Sequence, residues 1–248
     1  MSGYRKRIRT IRTRDGGCEV KSSLRLGTVS GIGIFAHWTF LLMLVGLFGF
    51  YLYQGLSILA ALSGVALIVS VFGCVVAHEL GHAFMARHYG IPTLDITMYP
   101  IGGVARLKTM PREPKQEFFI AIAGPAVNLG IAGVLWIVNS IFSSSVTLSE
   151  AMTTQASVLG LLMWINLGLV VFNMLPAFPM DGGRVLRAGL ATQMDYRNAT
   201  HFASLIGQFL AVGFGIYGIF NGLWTLPFVA MFIFMAARQE VQYVMEKS

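Results

Sequence analysis

Long runs without any Asp, Glu, Lys or Arg divide this chain. Four of them cover residues 26–78, 118–149, 151–180 and 198–237. Each run is longer than the roughly 20 apolar residues that a helix needs to cross the hydrocarbon core of a bilayer. The pattern therefore predicts a protein that passes through a membrane several times, with room for two crossings in the first run and in the last.

Short polar or glycine-containing breaks divide the first and last runs, at YQGLS (53–57) and FNGLW (220–224). Division at these breaks gives six predicted transmembrane helices, over residues 35–53, 56–89, 116–142, 153–175, 198–220 and 224–244. We therefore expect an all-α polytopic membrane fold. A basic N-terminal arm at 1–30 would precede a single intramembrane domain at 31–248.

The connection between the second and third predicted helices has a different pattern. In IPTLDITMYPIGGVARLK, apolar and polar residues alternate over 94–98, and this period of two is typical of a β-strand. PIGG then supplies a turn before VARLK. We expect a short β-hairpin or small sheet at 92–108, directly after the second helix.

The charged residues predict the orientation in the membrane and argue against a nucleic-acid partner. Only 12% of the residues are charged, against about 25% in soluble domains. All 18 Lys and Arg fall on one side of the six-helix arrangement, and that side is the cytoplasm by the positive-inside rule. Both termini would then be cytoplasmic in a multi-pass protein of the cell membrane. A nucleic-acid partner is not expected, because Tyr4 is the only aromatic residue of the basic arm.

Reactive side chains interrupt the second apolar stretch, in VVAHELGHAFMARHYG (75–90). His78 and His82 are four residues apart and so share one helix face, where both can bind one metal ion. Glu79 beside them completes the H-E-x-x-H pattern of zinc metalloproteases. A charged side chain at the centre of a membrane helix costs about 2.5–3.5 kcal/mol, which favours a functional role over a structural one. Cys74 lies one turn earlier, too far along the axis to join the same ion, and we expect it to pack.

Hydrolytic zinc sites use three protein ligands and leave one position for water, so a third ligand is needed. Asp181, in NMLPAFPMDGGRVLRAGL, is the candidate. Pro176 and Pro179 end the fourth helix before it, and it lies on the same side of the membrane as the histidines. The alternative is that Asp181 caps a short helix at 183–192.

Taken together these residues resemble the site-2 proteases, the intramembrane zinc metalloproteases. HELGH in an apolar helix, PIGG in a hairpin, AGPAVN in the next helix and NMLPAFPMDGGR after another occur in that order, and GIGIFAHWTFLL is similar to the start of compact members. The resemblance covers about residues 30–240 and indicates a form without PDZ or CBS domains. It implies one zinc ion per chain, held by His78, His82 and Asp181, with Glu79 as general base.

The resemblance also implies roles for two asparagines. Asn173, eight residues before Asp181, matches the family's asparagine near the metal, which binds substrate or the oxyanion. Asn128 matches the asparagine of the G-P-x-x-N element, and its role stays open, as does that of His37.

The function implied is proteolysis of membrane-tethered proteins within or near the bilayer, in regulated release of signalling or transcription factors. The implied substrate is a single-span membrane protein, such as an anti-sigma factor or another tethered regulator, with a small membrane regulatory protein as a further candidate partner. Two alternatives belong to other classes. A transporter or channel would also carry ionisable groups in its helices, although no inverted repeat is visible. A catalytically silent relative would bind without cleaving, and the intact Glu79 argues against it.

Overall fold

Seven helices and four strands make up the described part of the chain, which is residues 22–109, 111, 113–142 and 157–246 of a computed structural model. In chain order they are β1 (Ser23–Val29), β2 (Ile32–His37), α1 (Trp38–Tyr53), α2 (Ile58–His88), β3 (Thr93–Tyr99), β4 (Gly102–Leu107), α3 (Pro114–Phe142), α4 (Val158–Asn173), α5 (Asp181–Leu190), α6 (Tyr196–Phe220) and α7 (Thr225–Glu246). The predicted combination of helices with a small sheet is confirmed. Most of the predicted basic arm and the start of the predicted fourth helix lie outside the described residues.

Three of these helices are long and apolar enough to cross a membrane: α2, α6 and the Pro114–Ile141 part of α3. α1 and α4 are apolar but have 16 residues each. A rise of about 1.5 Å per residue makes them about 24 Å long, short of a hydrocarbon core of about 30 Å. The chain is a membrane protein, and for the described residues three of the six predicted crossings are supported by length and composition.

The sheet has four strands in the order β1-β2-β3-β4. The outer pairs, β1 with β2 and β3 with β4, are antiparallel, and the central pair is parallel. The predicted hairpin at 92–108 is confirmed as β3 and β4. Among the described strands, β4 pairs with β3 alone and forms one edge of the sheet.

β1 and β2 differ from the prediction, which placed residues up to 30 in the arm and began the first helix at 35. The helix begins at Trp38 instead, after His37, whose side chain accepts a hydrogen bond from the backbone N–H of Thr39. In β2 every second side chain is buried, beginning with Ile32. The sequence does not show this alternation, because the half-buried residues between the buried ones are Gly33 and Phe35, which are not polar either.

One face of the sheet packs on α2. The buried contact consists of Ile32, Ala83, Ile96 and Met98, with five half-buried apolar residues around them. Burying apolar area is the main source of stability here and fixes the sheet against the helix. The sheet therefore lies alongside the H-E-x-x-H segment of α2.

A buried ion network joins three helices on one side of the fold. Arg187 of α5 is 1% exposed and donates to the carboxylates of Glu117 in α3 (Nε–Oε1 2.9 Å) and Glu240 in α7 (Nη1–Oε1 2.6 Å). Its guanidinium also lies 4.9 Å from the ring centres of Phe178 and Tyr196. Burial alone would lower the pKa of Arg187, but the facing carboxylates, chiefly Glu117, raise it above its ordinary value. The charge is therefore retained, and it fixes α5 between α3 and α7.

Candidate active site

The two histidines of α2 face each other across one helical turn. His78 is 6% exposed and His82 is 9% exposed. Their Nε2 atoms are 3.0 Å apart, and their rings are nearly perpendicular, at 84°. The spacing of four residues brings the rings together, as the helical period requires.

Asp181 joins them from a distant part of the chain. Its Oδ2 lies 3.1 Å from Nε2 of His78 and 3.2 Å from Nε2 of His82. Asp181 is the first residue of α5, and the residue before it, Met180, makes no side-chain capping bond. The helix thus begins at 181 rather than at the predicted 183. The alternative prediction, that Asp181 caps a short helix, is wrong, because its carboxylate contacts the two histidines.

The loop before α5 folds back closely on the helix, and Gly182 makes this approach feasible. A Cβ atom at Gly182 would lie 2.3 Å from the carbonyl oxygen of Leu175 and 2.4 Å from that of Met174. These distances are far below van der Waals contact with a backbone atom. The absence of a side chain at 182 therefore lets the loop bring Asp181 up to the histidines.

Each histidine ring is held by a hydrogen bond at its other nitrogen. Nδ1–H of His82 donates to the backbone carbonyl of Ile120 at 2.6 Å, and Nδ1–H of His78 donates to Oδ1 of Asn128 at 2.6 Å. Both acceptors are on α3. With the proton on Nδ1, each neutral imidazole presents the lone pair of Nε2 to the carboxylate of Asp181. Metal-binding histidines are commonly oriented in this way.

These three side chains have the chemistry and the spacing of a metal site. Their ligand atoms all lie within 4.8 Å of one another, and all three residues are buried. Ligands about 2.0–2.1 Å from a tetrahedral zinc ion are separated by about 3.3 Å, close to the 3.0–3.2 Å found here. Two imidazole lone pairs and a carboxylate repel one another unless a cation lies between them, so the residues fit zinc.

Glu79 lies next to His78 but is not one of the three converging side chains. It is half-buried and packs against β4, where a Cβ atom at Gly103 would lie 3.0 Å from Cγ of Glu79. Asn173 is the last residue of α4. Its amide N–H donates to the carbonyl of Leu169 within α4 at 3.0 Å. Among the residues that the structure describes, no hydrogen bond joins Asn173 to the metal-binding group.

Comparison with known proteins agrees with this geometry. The sequence profile described as "Peptidase family M50" matches residues 66–158 and 140–214. A zinc metalloprotease of Methanocaldococcus jannaschii is 39% identical over 222 residues, or 90% of this chain. The chain belongs to peptidase family M50. The solved structure of a site-2 protease from M. jannaschii has a TM-score of 0.63 and 38% identity, with coverage of 88% of this chain and 95% of that one.

The chain also has a more distant similarity to a bacterial protein. Stage IV sporulation protein FB of Bacillus subtilis is 24% identical over 170 residues, 68% of this chain. The chain spans 61% of the length of the M. jannaschii zinc metalloprotease and 56% of the sporulation protein. The resemblance to site-2 proteases is thus confirmed, and zinc is the metal that agrees with both the relatives and the His-His-Asp group.

Two groups that position the histidines of the M50 site were not identified from the sequence, the carbonyl of Ile120 and Gly124. The carbonyl of Ile120 is a backbone group, and no residue type marks it. Gly124 lies in the AGPAVN motif, but its role depends on its distance from α2. A Cβ atom there would lie 2.3 Å from Nε2 of His82 and 2.7 Å from Nε2 of His78.

Replacement of Gly124 by Ala is expected to weaken zinc binding, because the new methyl group would occupy the space in front of both Nε2 atoms. Gly130→Ala is the matched control, since it changes a glycine of the same helix that has nothing within 4 Å of its Cβ position. Zinc affinity of both variants would be measured by competition with a fluorescent chelator. Equal affinities in the two variants would contradict the tight approach of α3 to the histidines.

Proposed function

We propose that this protein is an intramembrane zinc metalloprotease that hydrolyses peptide bonds of membrane-tethered proteins. The observation that carries the proposal is the convergence of His78, His82 and Asp181 beside Glu79, on a helix long and apolar enough to cross a membrane. The activity of the longer M50 relatives supports it. A transport function has less support, because His78, His82 and Asp181 converge on one point instead of lining a path.

In the proposed mechanism His78, His82 and Asp181 hold the metal. Zinc, when bound, supplies a Lewis acid that lowers the pKa of water and polarises a carbonyl. Glu79 takes the proton of the attacking water and delivers it to the nitrogen of the leaving amine. Its packing against β4 restricts its side chain to the side of α2 that faces the sheet.

Asn173 would bind the substrate or stabilise the oxyanion that forms on the attacked carbonyl. This role requires its amide to exchange the carbonyl of Leu169 for the substrate. Such an exchange costs little, since one hydrogen bond replaces another. Asn173 therefore remains a proposed catalytic residue, with a side chain that changes partner when substrate binds.

The proposed substrate segment is an extended peptide. In a helix every peptide group is engaged in a hydrogen bond to a residue four positions away, so a helical substrate must unwind before attack. We propose that the unwound segment pairs as an added strand with β4, an edge strand of the described sheet. Gly103 on β4 lies next to Glu79, since a Cβ atom there would be 3.0 Å from Cγ of Glu79, so a peptide paired with β4 would run close to the general base. Single-span proteins, such as an anti-sigma factor or another tethered regulator, are the proposed substrate class, and a small membrane protein is the proposed regulator.

The test uses the full chain, purified in detergent and returned to lipid vesicles with a single-span test protein. We expect about one zinc ion per chain and cleavage of the test protein near one end of its membrane segment. A chelator should stop cleavage, and added zinc should restore it. A protein that holds zinc but leaves several such test proteins uncut would contradict the proteolytic function.

We further propose that both termini and the opening to the metal site are cytoplasmic, in the cell membrane. Arg187 of α5 donates both to Glu117 near the start of α3 and to Glu240 near the end of α7. This contact supports a common side for these helix ends. All 18 positive residues fall on that side in the six-helix arrangement, as the positive-inside rule requires.

This orientation predicts the labelling of two positions outside the described residues. In intact cells carrying the Cys74→Ala change, a membrane-impermeant thiol reagent should not reach the native Cys18. A cysteine introduced at Ser144, between α3 and α4, should react once Cys18 is also replaced. Reaction of Cys18 in intact cells would reverse the topology.

A further inference from the structure

A chain of buried hydrogen bonds leads away from the metal-binding group. Oδ1 of Asn128 accepts from His78, and Nδ2 of Asn128 donates to Oδ1 of Asn166 at 2.8 Å. Nδ2 of Asn166 in turn donates to the carbonyl of Leu162 at 2.8 Å and to the sulfur of Cys74 at 3.3 Å. Both asparagines are completely buried. The series connects α2, α3 and α4 behind the metal site.

The bond to the carbonyl of Leu162 determines which group donates and which accepts in every other hydrogen bond of this series. A backbone carbonyl can only accept, so the amide nitrogen of Asn166 must face Leu162. Its Oδ1 then faces Asn128 and can accept only from Nδ2. That leaves Oδ1 of Asn128 facing His78, which must donate from Nδ1.

The alternative orientation of Asn128 would change the metal ligand. If its amide rotated by half a turn, Nδ2 would face Nδ1 of His78 and favour a proton on Nε2. An imidazole with its proton on Nε2 has no lone pair there for a metal ion. The same rotation would place Oδ1 of Asn128 against Oδ1 of Asn166, two acceptors without a donor between them in a buried site. Asn166 therefore prevents the rotation.

We propose that Asn166 is a positioning residue that holds His78 in the tautomer able to bind zinc. It acts through Asn128 and touches neither metal nor substrate. The inference rests on the proposed role of His78 as a ligand and adds a residue that the motifs do not contain. Loss of such an outer partner typically weakens metal affinity by about 10–100-fold.

The first experiment compares Asn166→Leu with Asn139→Leu. Asn139 is also buried, on α3, and its Oδ1 accepts from Ser157 without a connection to His78. Both variants lose a buried amide of similar volume. Zinc affinity of the full chain in detergent, measured by competition with a fluorescent chelator, should fall about 10–100-fold for Asn166→Leu and stay near the wild-type value for Asn139→Leu.

A second comparison separates tautomer control from general destabilisation. In an Asn128→Asp background either carboxylate oxygen can accept from Nδ1–H of His78, so rotation of the group cannot replace the acceptor by a donor. Asn166→Leu should then cause no further loss of zinc affinity. Asn166→Asp should restore affinity in the otherwise wild-type chain, because a neutral carboxyl group keeps one acceptor towards Asn128 and one donor towards Leu162.

The inference is overturned if Asn166→Leu binds zinc as tightly as the wild type. It is also overturned if Asn166→Leu loses the same affinity as Asn139→Leu, or loses as much in the Asn128→Asp background. If Asn166→Leu does not accumulate as folded protein, Asn166→Ala and Asn139→Ala replace the pair. A wild-type chain without zinc affinity would instead refute the proposed metalloprotease, so the two failures are distinct.

Discussion

Replacement of Glu79 by Gln should lower the rate of substrate cleavage by about 10²–10⁴-fold, the usual cost of losing a general base, while zinc remains bound. Glu79 is not among the three side chains whose ligand atoms converge, so the metal does not depend on it. Gln has nearly the same size and keeps the packing against Gly103. Single-turnover cleavage of a membrane-tethered substrate and zinc content would be measured on the same preparation, and the variant should retain the uncut substrate.

Glu113→Gln is the matched control, because Glu113 is exposed and lies just before α3. It should cleave at the wild-type rate. A transporter would give no cleavage with any of these proteins, and a silent relative would treat wild type and Glu79→Gln alike. Undiminished cleavage by Glu79→Gln with zinc bound would remove Glu79 from the mechanism.

The second large effect is expected for Asp181→Ala. Its carboxylate lies within 3.2 Å of both Nε2 atoms, and without it two imidazoles remain to hold the ion. Loss of a residue that only orients a metal ligand lowers metal affinity by about 10–100-fold. Loss of the ligand itself should lower zinc affinity by more than that. Cleavage should fall with it. Chelator competition measures the affinity, and metal analysis after dialysis measures the residual zinc.

Asp195→Ala provides the comparison for this change. Asp195 is exposed, precedes α6, and makes no side-chain capping bond, so its loss should leave zinc affinity intact. If Asp181→Ala retained wild-type affinity and activity, the third ligand would have to come from another residue. A fall in both variants would indicate a general effect of removing negative charge instead of the loss of a ligand.

The residues that could be predicted from the sequence are those whose role follows from local spacing. His78 and His82 share a helix face because of the helical period, and Asp181 follows a proline-rich break that ends a helix. Asn166, by contrast, carries no local mark of its role. It lies in an apolar helix that would be read as lipid-facing or packed, and its significance depends on contact with Asn128 in another helix.

The same distinction explains the differences in the fold. A run of apolar residues predicts burial or membrane, but it does not distinguish a strand from a helix when both faces are apolar. That is why the first predicted helix, at 35–53, includes the second half of β2, whereas the alternation in β3 predicts a strand. The shortness of α1 and α4 also escaped prediction, because their ends depend on caps such as Ser157, which accepts from the backbone N–H of Gly160.

The ion network around Arg187 limits how far the chain can be shortened from its C-terminal end. Glu240 lies in the last helix, yet it bonds to the helix whose first residue is Asp181. A variant that stops before Glu240 would remove an acceptor of the buried guanidinium and would end close to Ala237, which lies in a buried cluster with Phe178 and Ala203. Shortened variants should therefore retain α7 through Glu246, because its C-terminal turns help to hold the helix that begins at Asp181.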